Sequence, residues 1–172
     1  MEIIVRQETK SEIESVYHVV KSAFETAEFS DHDEQNLVNR LRNSKAFIPE
    51  LSLVAEVNNQ IVGYILFTEI TVGDTTLLAL APVAVLPEMQ GKGVGTKLIN
   101  EGHKFAQEMG YIGCVVLGHS EYYPRYGYNK ARSYGIVAPF EISDDHFMVI
   151  EFKHLALKNV SGVVQYAQEF FE

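Results

Sequence analysis

Residues 81–109, APVAVLPEMQGKGVGTKLINEGHKFAQEM, decide the fold of this chain. They join a β-branched run to an amphipathic pattern through glycines at positions 91, 93 and 95. Glycine permits positive φ values and close backbone approach, so successive N–H groups can point at one ligand. A helix that opens there adds about +0.5 of a charge at its N-terminus. The stretch predicts a strand, a glycine turn and a helix start that together bind an anion, with a diphosphate as the natural ligand.

The pattern after the glycines predicts a helix with one apolar and one polar face, ended by Gly110. The apolar face holds Val94, Leu98, Ile99, Gly102, Phe105, Ala106 and Met109. The polar face holds Lys97, Asn100, Glu101, Lys104, Gln107 and Glu108.

Two common nucleotide motifs do not fit this turn. A P-loop requires Gly-Lys-Ser/Thr, whereas the last glycine here is followed by Thr96 and then Lys97. The dinucleotide pattern G-x-G-x-x-G fails because each G-x-G pair is followed by Thr96 or Leu98 at the third position. A Walker A site is therefore excluded on spacing, and the pattern does not favour an ordinary Rossmann site.

The pattern that fits is Q-x-x-G-x-G, met by Gln90, Gly93 and Gly95 directly after the run ending Val85-Leu86-Pro87. It resembles the acetyl-CoA motif of the GNAT acyltransferase superfamily. A second motif lies downstream: residues 113–128, GCVVLGHSEYYPRYGY, resemble that superfamily's next strand and its aromatic-Tyr-x-x-x-Gly-aromatic signature. The signature residues are Tyr122, Tyr123, Gly127 and Tyr128.

This resemblance implies an α/β (α+β) GNAT fold in a single domain over residues 1–172. Its mixed central sheet would have about six to seven strands, splayed between the fourth and fifth and flanked by helices. The rest of the pattern agrees: a first strand at residues 3–6, two helices, and strands at 51–57, 61–70 and 75–85.

Capping and turn residues mark where these helices and strands begin and end. Ser11 with Glu14 would form a capping box for the first helix, which carries Val16, Val19, Val20 and Ala23 inward. The second helix would follow Asp31 or Asp33. Asn58 and Asn59 predict a two-residue hairpin turn. A further strand is expected near residues 147–152, while residues 160–171 are ambiguous between a strand and an irregular tail.

Pro82 stands inside a predicted strand although proline cannot donate to a sheet ladder. Either it marks a harmless edge position or pairing is broken there. In the family the equivalent strand carries a bulge and splays from the next one, here residues 113–117, so that the pantetheine arm can lie on unpaired backbone groups.

The resemblance also implies the cofactor site. Backbone N–H groups at the glycine turn would take the CoA diphosphate, Val83 and Val85 would bind pantetheine through their main chains, and Lys92 would add charge. The implied cofactor-binding residues are Val83, Ala84, Val85, Gln90, Gly91, Lys92, Gly93, Val94, Gly95 and Thr96.

Acyl transfer to an amine needs a neutral amine, a stabilised oxyanion and a proton for the departing thiolate. Tyr123 matches the family's proton donor, and a main-chain N–H near residues 83–85 is the oxyanion candidate. No motif fixes the base, for which Glu69, His119 and Glu121 are candidates. Many members carry an Asn shortly after the fifth strand, whereas here only residues 118–121, which contain no Asn, separate that strand from Tyr122.

Composition limits the classes of ligand, cellular location and metal site that this chain is expected to have. The net charge of −9 argues against nucleic acid and is compatible with a cationic amine. No apolar run approaches the about 20 residues of a membrane span, and no signal peptide is visible, so a cytoplasmic enzyme is expected. The single Cys114 lies in an apolar run and favours a structural role. His32 with its acidic neighbours is better explained by a helix start than by a metal, and none is expected.

These observations predict an N-acetyltransferase that moves an acetyl group from acetyl-CoA to a primary amine by direct transfer in a ternary complex. The acceptor is a small molecule or a protein amine, and a homodimer is possible. The alternative is a non-catalytic acyl-CoA sensor or regulatory module that keeps the cofactor site.

Overall fold

The structure is a computed structural model that describes residues 1–28 and 30–172. The helices are α1 (Ile13–Phe24), α2 (Glu34–Arg42) and α3 (Val94–Glu108). The strands are β1 (Ile4–Gln7), β2 (Phe47–Val57), β3 (Gln60–Val72), β4 (Thr75–Val85), β5 (Gly113–Leu117), β6 (Asn129–Lys130), β7 (Ile136–Val137), β8 (Phe147–Glu151) and β9 (Gly162–Gln165). Of the helices in this described part, none is long and apolar enough to cross a membrane.

The strands form one mixed sheet in the order β1-β2-β3-β4-β5-β8-β6, with β9 paired to β3 and β7. The pairs from β1 to β4 are antiparallel, and β4 with β5 is parallel. The predicted mixed sheet with flanking helices is confirmed. Within the described residues the sheet has nine strands rather than six to seven, because β6 and β7 contain two residues each and carry no periodicity that a sequence could reveal.

The start of α1 differs from the prediction. The capping box joins Thr9 to Glu12, and the Thr9 backbone N–H donates to Glu12 Oε1 at 2.8 Å, so the Ser11 and Glu14 box is wrong. Glu12 occupies that place because Arg6 also holds its carboxylate, 2.7 Å from Arg6 Nη2. The Arg6 hydrogen bond lowers the pKa of Glu12 to about 2.

The hairpin between β2 and β3 has the predicted turn. Asn58 and Asn59 both take positive φ, +50° and +64°, a conformation that asparagine tolerates better than most residues. The ambiguous tail resolves into β9 followed by a 3₁₀ turn, Gln168–Phe171.

Helix α3 covers one face of the sheet. Gly102 allows the close approach, because a Cβ there would lie 2.4 Å from Phe67 Cε2. The buried side of α3 also includes His103, which neither predicted face contained. Helices α1 and α2 cover the other face, where Val16, Val20, Val38 and Leu41 pack against β2 and β3.

Candidate active site

Strand β4 changes register at the predicted position. Ile65 of β3 faces Val83 and Phe67 faces Leu80, so β4 holds one extra residue between them, around Pro82. A β-bulge of this kind bends its strand away from a neighbour. The pairing of β4 with β5 correspondingly runs from Leu78 opposite Cys114 to Leu80 opposite Val116. The two strands diverge beyond that point, as predicted.

The diverging part of β4 presents main-chain groups to the gap. Gln90 Nε2 donates to the Val85 carbonyl at 3.2 Å, which shows that this carbonyl points away from β3. Since alternate residues of a strand point their main-chain groups to the same side, Val83 faces the gap as well. Gln90, which the sequence places at the cofactor, lies in the lining of the cavity described below, and its side chain bonds the end of β4.

Two glycines of the turn between β4 and α3 have the predicted positive φ. Gly91 and Gly93 take φ of +74° and +88°, and a Cβ at either would have no neighbour within 4 Å. The turn is therefore open on the side where side chains would stand. Gly95 does not share the predicted positive φ, because it already lies inside α3, and a Cβ there would lie 2.9 Å from Tyr122 Oη.

A cavity of about 390 Å³ opens in front of this turn. It combines main chain at the start of α3 with aromatic side chains of the second motif. The lining residues are Val85, Met89, Gln90, Gly91, Gly93, Val94, Gly95, Thr96, Tyr122, Arg125 and Tyr126. Lys92 is exposed and outside this lining, whereas Arg125, which sequence reasoning did not select, is part of it.

The aromatic motif folds as a 3₁₀ turn, Tyr123–Tyr126, placed against α3. Tyr126 Oη lies 2.8 Å from Thr96 Oγ1, and Tyr122 meets Tyr126 with ring centroids 5.3 Å apart. Gly127 ends the turn at φ +102°. The two motifs of the sequence thus form two sides of one cavity.

Tyr123 lies behind Tyr122, not in the cavity lining. Its ring packs on Gly118, where a Cβ would lie 2.3 Å from Tyr123 Cε2, at the end of β5. Tyr122 and Tyr128 contact it edge-on, with centroids 5.0 and 5.7 Å away. Burial raises the pKa of Tyr123, so the phenol keeps its proton.

The base candidates occupy two different places. Glu69 accepts a hydrogen bond from Tyr111 Oη at 2.7 Å and pairs with Leu78, where β4 and β5 are still joined. His119 and Glu121 are exposed in the short loop that follows β5. The His119 carbonyl accepts from Tyr122 N at 3.2 Å, which links this loop to the aromatic turn.

The acidic residues around His32 have structural contacts. His32 Nδ1 lies 2.8 Å from the Phe24 carbonyl, and Asp33 precedes α2 and binds Arg40 Nη1 at 3.0 Å. Within residues 1–28 and 30–172, no three His, Cys, Asp or Glu side chains are grouped so that they could hold a metal ion.

Two further polar groups lie beneath the site. Cys114 is fully buried in β5, and burial raises the pKa of its thiol to about 12. His103 Nε2 lies 2.8 Å from Tyr128 Oη, and burial lowers the pKa of His103 to about 4. The spacing Ile99, Gly102, His103, Ala106 is i, i+3, i+4, i+7, a signal that could have placed His103 on the buried face.

The splayed sheet, the open glycine turn and the aromatic turn define an α/β protein with a nucleotide-type cavity at a helix N-terminus. The model of the Acetyltransferase (GNAT) family matches residues 13–128. The chain belongs to the GNAT acetyltransferase family.

Curated relatives agree with this assignment. The chain is 42% identical over 127 residues to the uncharacterized N-acetyltransferase YjhQ of Escherichia coli (strain K12), covering 71% of this chain and 70% of YjhQ. It is 31% identical over 145 residues to the uncharacterized N-acetyltransferase YhbS of the same strain, covering 83% of this chain and 86% of YhbS.

Solved structures share the whole fold. The crystal structure of E. coli YhbS in complex with CoA matches with a TM-score of 0.90 at 26% identity, over 100% of this chain and 93% of that one. A GNAT family acetyltransferase from Brucella melitensis in complex with acetyl-CoA matches with a TM-score of 0.81 at 31% identity, over 98% of both chains.

Proposed function

We propose that the chain transfers an acetyl group from acetyl-CoA to a primary amine directly, within a ternary complex of enzyme and both substrates. Family membership establishes the class of enzyme, an acyltransferase. Two features carry the proposal. Strands β4 and β5 stop pairing beyond Leu80 and Val116, and the glycine turn that follows β4 is open.

The residues present fit acetyl-CoA, the cosubstrate of this family. Backbone N–H groups of Gly91, Gly93, Gly95 and Thr96 would hold the diphosphate, since a helix N-terminus with exposed amides favours an anion. The main chains of Val83 and Val85, with Ala84 between them, would receive the pantetheine arm as an added strand. The relatives YhbS and the Brucella protein hold CoA and acetyl-CoA in their crystal structures.

Tyr123 is the proposed general acid. Acetyl-CoA supplies an activated thioester, and its departing thiolate requires a proton. The phenol of Tyr123 carries a proton at neutral pH, as tyrosine ordinarily does, and desolvation raises its pKa further. Its ring packs on Gly118, Tyr122 and Tyr128, which fix the position of the hydroxyl oxygen.

We propose His119 or Glu121 as the base that keeps the acceptor amine neutral. Both lie in the exposed loop at the end of β5, beside the gap. Glu69 is the weaker candidate because its carboxylate is bonded to Tyr111 and stands beside the joined part of the strands. The matched variants Glu121→Gln, His119→Asn and Glu69→Gln would separate the candidates by their pH–rate profiles.

Direct transfer is supported by the state of Cys114. A covalent route through cysteine needs an accessible thiolate, whereas Cys114 is buried with a raised pKa. The acceptor is proposed to be a small-molecule or protein amine, and the net charge of −9 favours a cationic one.

The experiment has two steps. Thermal unfolding is first measured with CoA, acetyl-CoA, ATP and NAD, because a ligand of the native state alone stabilises it by about 2.7 kcal/mol at a hundredfold excess over Kd. CoA and acetyl-CoA should raise Tm far more than ATP or NAD. Equal shifts from all four, or no shift from CoA, would contradict the cofactor site.

Thiol release from acetyl-CoA is then measured across small amines, amino acids and peptides bearing a free N-terminus or lysine, with background hydrolysis subtracted. Amine-dependent release supports the enzyme. CoA binding with no release for any amine class would favour the sensor alternative.

Three expectations stay predictions. A single domain over residues 1–172 is supported by one sheet that contains both Ile4–Gln7 and Gly162–Gln165. The cytoplasmic location and the homodimer are the other two.

A further inference from the structure

Arg125 is the cationic side chain of the cavity lining. It stands on the 3₁₀ turn Tyr123–Tyr126, and its side chain is exposed. Its guanidinium carbon lies 5.2 Å from the centroid of the Tyr122 ring. Its Nε donates to the Glu121 carbonyl at 3.4 Å, so the terminal nitrogens remain available to a ligand.

The other arginines of the chain have a different setting, because each is paired with a carboxylate. The pairs are Arg6 with Glu12 and Glu56, Arg40 with Asp33, Arg42 with Glu8, and Arg132 with Asp144. Across the described ranges 1–28 and 30–172, Arg125 has no carboxylate at ion-pair distance. In a chain of net charge −9, a guanidinium without a protein anion beside a cavity indicates an external one.

The turn that carries Arg125 is anchored to the start of α3. Tyr126 Oη bonds Thr96 Oγ1 at 2.8 Å, and Tyr122 Oη reaches the space above Gly95. The guanidinium of Arg125 also lies over the face of the Tyr122 ring in a cation–π contact. Arg125 thus stands at the same cavity as the glycine-turn amides.

We propose that Arg125 binds the diphosphate of CoA together with the amides of the glycine turn. This inference rests on the proposed function, since it adds a side-chain cation to a site otherwise built from main chain. Arginine suits the role because its planar fork can bond two phosphate oxygens at once. Lys92, the cation chosen from the sequence, lies outside the lining.

Calorimetric titration of the apoprotein tests the proposal without turnover. The variants are Arg125→Gln, Arg125→Lys and, as the matched control, Arg132→Gln, which removes the same charge from an exposed ion pair with Asp144. The ligands are CoA, dephospho-CoA, which lacks the 3′-phosphate, and pantetheine, which has no phosphate.

Arg125→Gln should weaken CoA and dephospho-CoA by the same factor, about tenfold to hundredfold, as for a lost charged hydrogen bond. Pantetheine binding should not change. Arg125→Lys should recover part of the loss, and Arg132→Gln should bind CoA as the wild-type protein does. Unchanged melting of the apoprotein variants would show that the fold is intact.

Equal CoA affinity of the wild type and Arg125→Gln would overturn the proposal. A loss for CoA that disappears with dephospho-CoA would also overturn it, because the arginine would then contact the 3′-phosphate. If the wild-type protein failed to bind CoA at all, the proposed function would fall first. Wild-type binding with an unaffected variant would overturn this inference alone.

Discussion

Arg42 and Arg125 show the contrast between two regions of this molecule. Arg42 ends α2, is 12% exposed, and is bonded to Glu8, whose side chain is 7% exposed. Arg125 is exposed beside a cavity, and no carboxylate of the described chain pairs with it. A buried charge requires a counter-ion to offset its desolvation, whereas an exposed charge is solvated by water and is free to bind a ligand. One region uses its charges for stability and the other keeps its charge for binding.

The stabilising region is a closed network. Glu8 accepts hydrogen bonds from Arg42 Nη2 at 2.8 Å and from Ser52 Oγ at 2.6 Å, and Ser52 lies 2.6 Å from Tyr64 Oη. It joins the segment after β1 to α2, β2 and β3. Burial raises the pKa of Tyr64, so its phenol stays neutral. We call these residues, Glu8, Arg42, Ser52 and Tyr64, the α2 network.

The largest expected effect belongs to the binding region. Tyr123→Phe removes one hydroxyl and keeps the ring that packs on Gly118. General acid catalysis is worth about 10²–10⁴ in rate, so kcat should fall by that factor while acetyl-CoA affinity changes little. Steady-state kinetics and calorimetric titration measure the two quantities separately.

The control for Tyr123 is Tyr126→Phe, which removes a hydroxyl bonded to Thr96 on the same turn. It should change cofactor affinity more than kcat. An unchanged kcat in Tyr123→Phe, with chemistry shown to be rate-limiting, would remove Tyr123 from the mechanism and leave the cofactor site standing.

The next largest effect is on stability in the α2 network. Glu8→Gln leaves the Arg42 charge buried without its counter-ion, so the free energy of unfolding should fall by about 3–5 kcal/mol. Denaturant titration measures it. CoA affinity, corrected for any unfolded fraction, should stay at the wild-type value.

Asp144→Asn is the matched control for Glu8→Gln, because the Arg132–Asp144 pair is 78% and 53% exposed. An exposed pair is worth about 0–1 kcal/mol. If both substitutions cost the same, the α2 network would not be the stabilising region that its burial indicates.

The two regions also differ in how much the sequence revealed. The glycine turn, the limits Thr75–Val85 and the bulge at Pro82 were predicted, because glycine, proline and strict periodicity act locally. The α2 network joins residues far apart in the chain and has no local signature. Four polar residues scattered from 8 to 64 become a network only after the sheet brings them together.

The same reason explains which details of the candidate site the sequence left open. The Q-x-x-G-x-G motif located the cavity, but the sequence could not tell that Gln90 would bond Val85 or that Gly95 would already be helical. Lys92 was selected because it is next to the glycines. Arg125 reaches the cavity from a turn about 30 residues later, which only the packing of that turn on α3 determines.

His103 lies outside the α2 network, buried on α3 beside Tyr128, and its contribution to stability depends on pH. Its pKa is lowered from 6.5 to about 4, so between these values the unfolded state holds a proton that the folded state lacks. Stability should therefore fall as pH falls from 6.5 towards 4, by up to about 3 kcal/mol. His103→Gln should flatten this part of the pH profile of unfolding. An identical profile in both proteins would contradict the neutral buried state.

The substitution of Cys114 has the smallest expected effect. Cys114 lies at the point where β4 and β5 are still paired, yet it is fully buried and its pKa is raised to about 12. A thiol that stays protonated cannot accept an acetyl group at neutral pH, because the thiolate is the nucleophile.

Cys114→Ala should keep kcat near the wild-type value and lower the free energy of unfolding by only about 1 kcal/mol. Initial rates at varied acetyl-CoA and amine concentrations should fit a ternary-complex rate law for both proteins. Mass-spectrometric acetylation of Cys114 without amine, together with lost turnover in a folded Cys114→Ala protein, would overturn direct transfer.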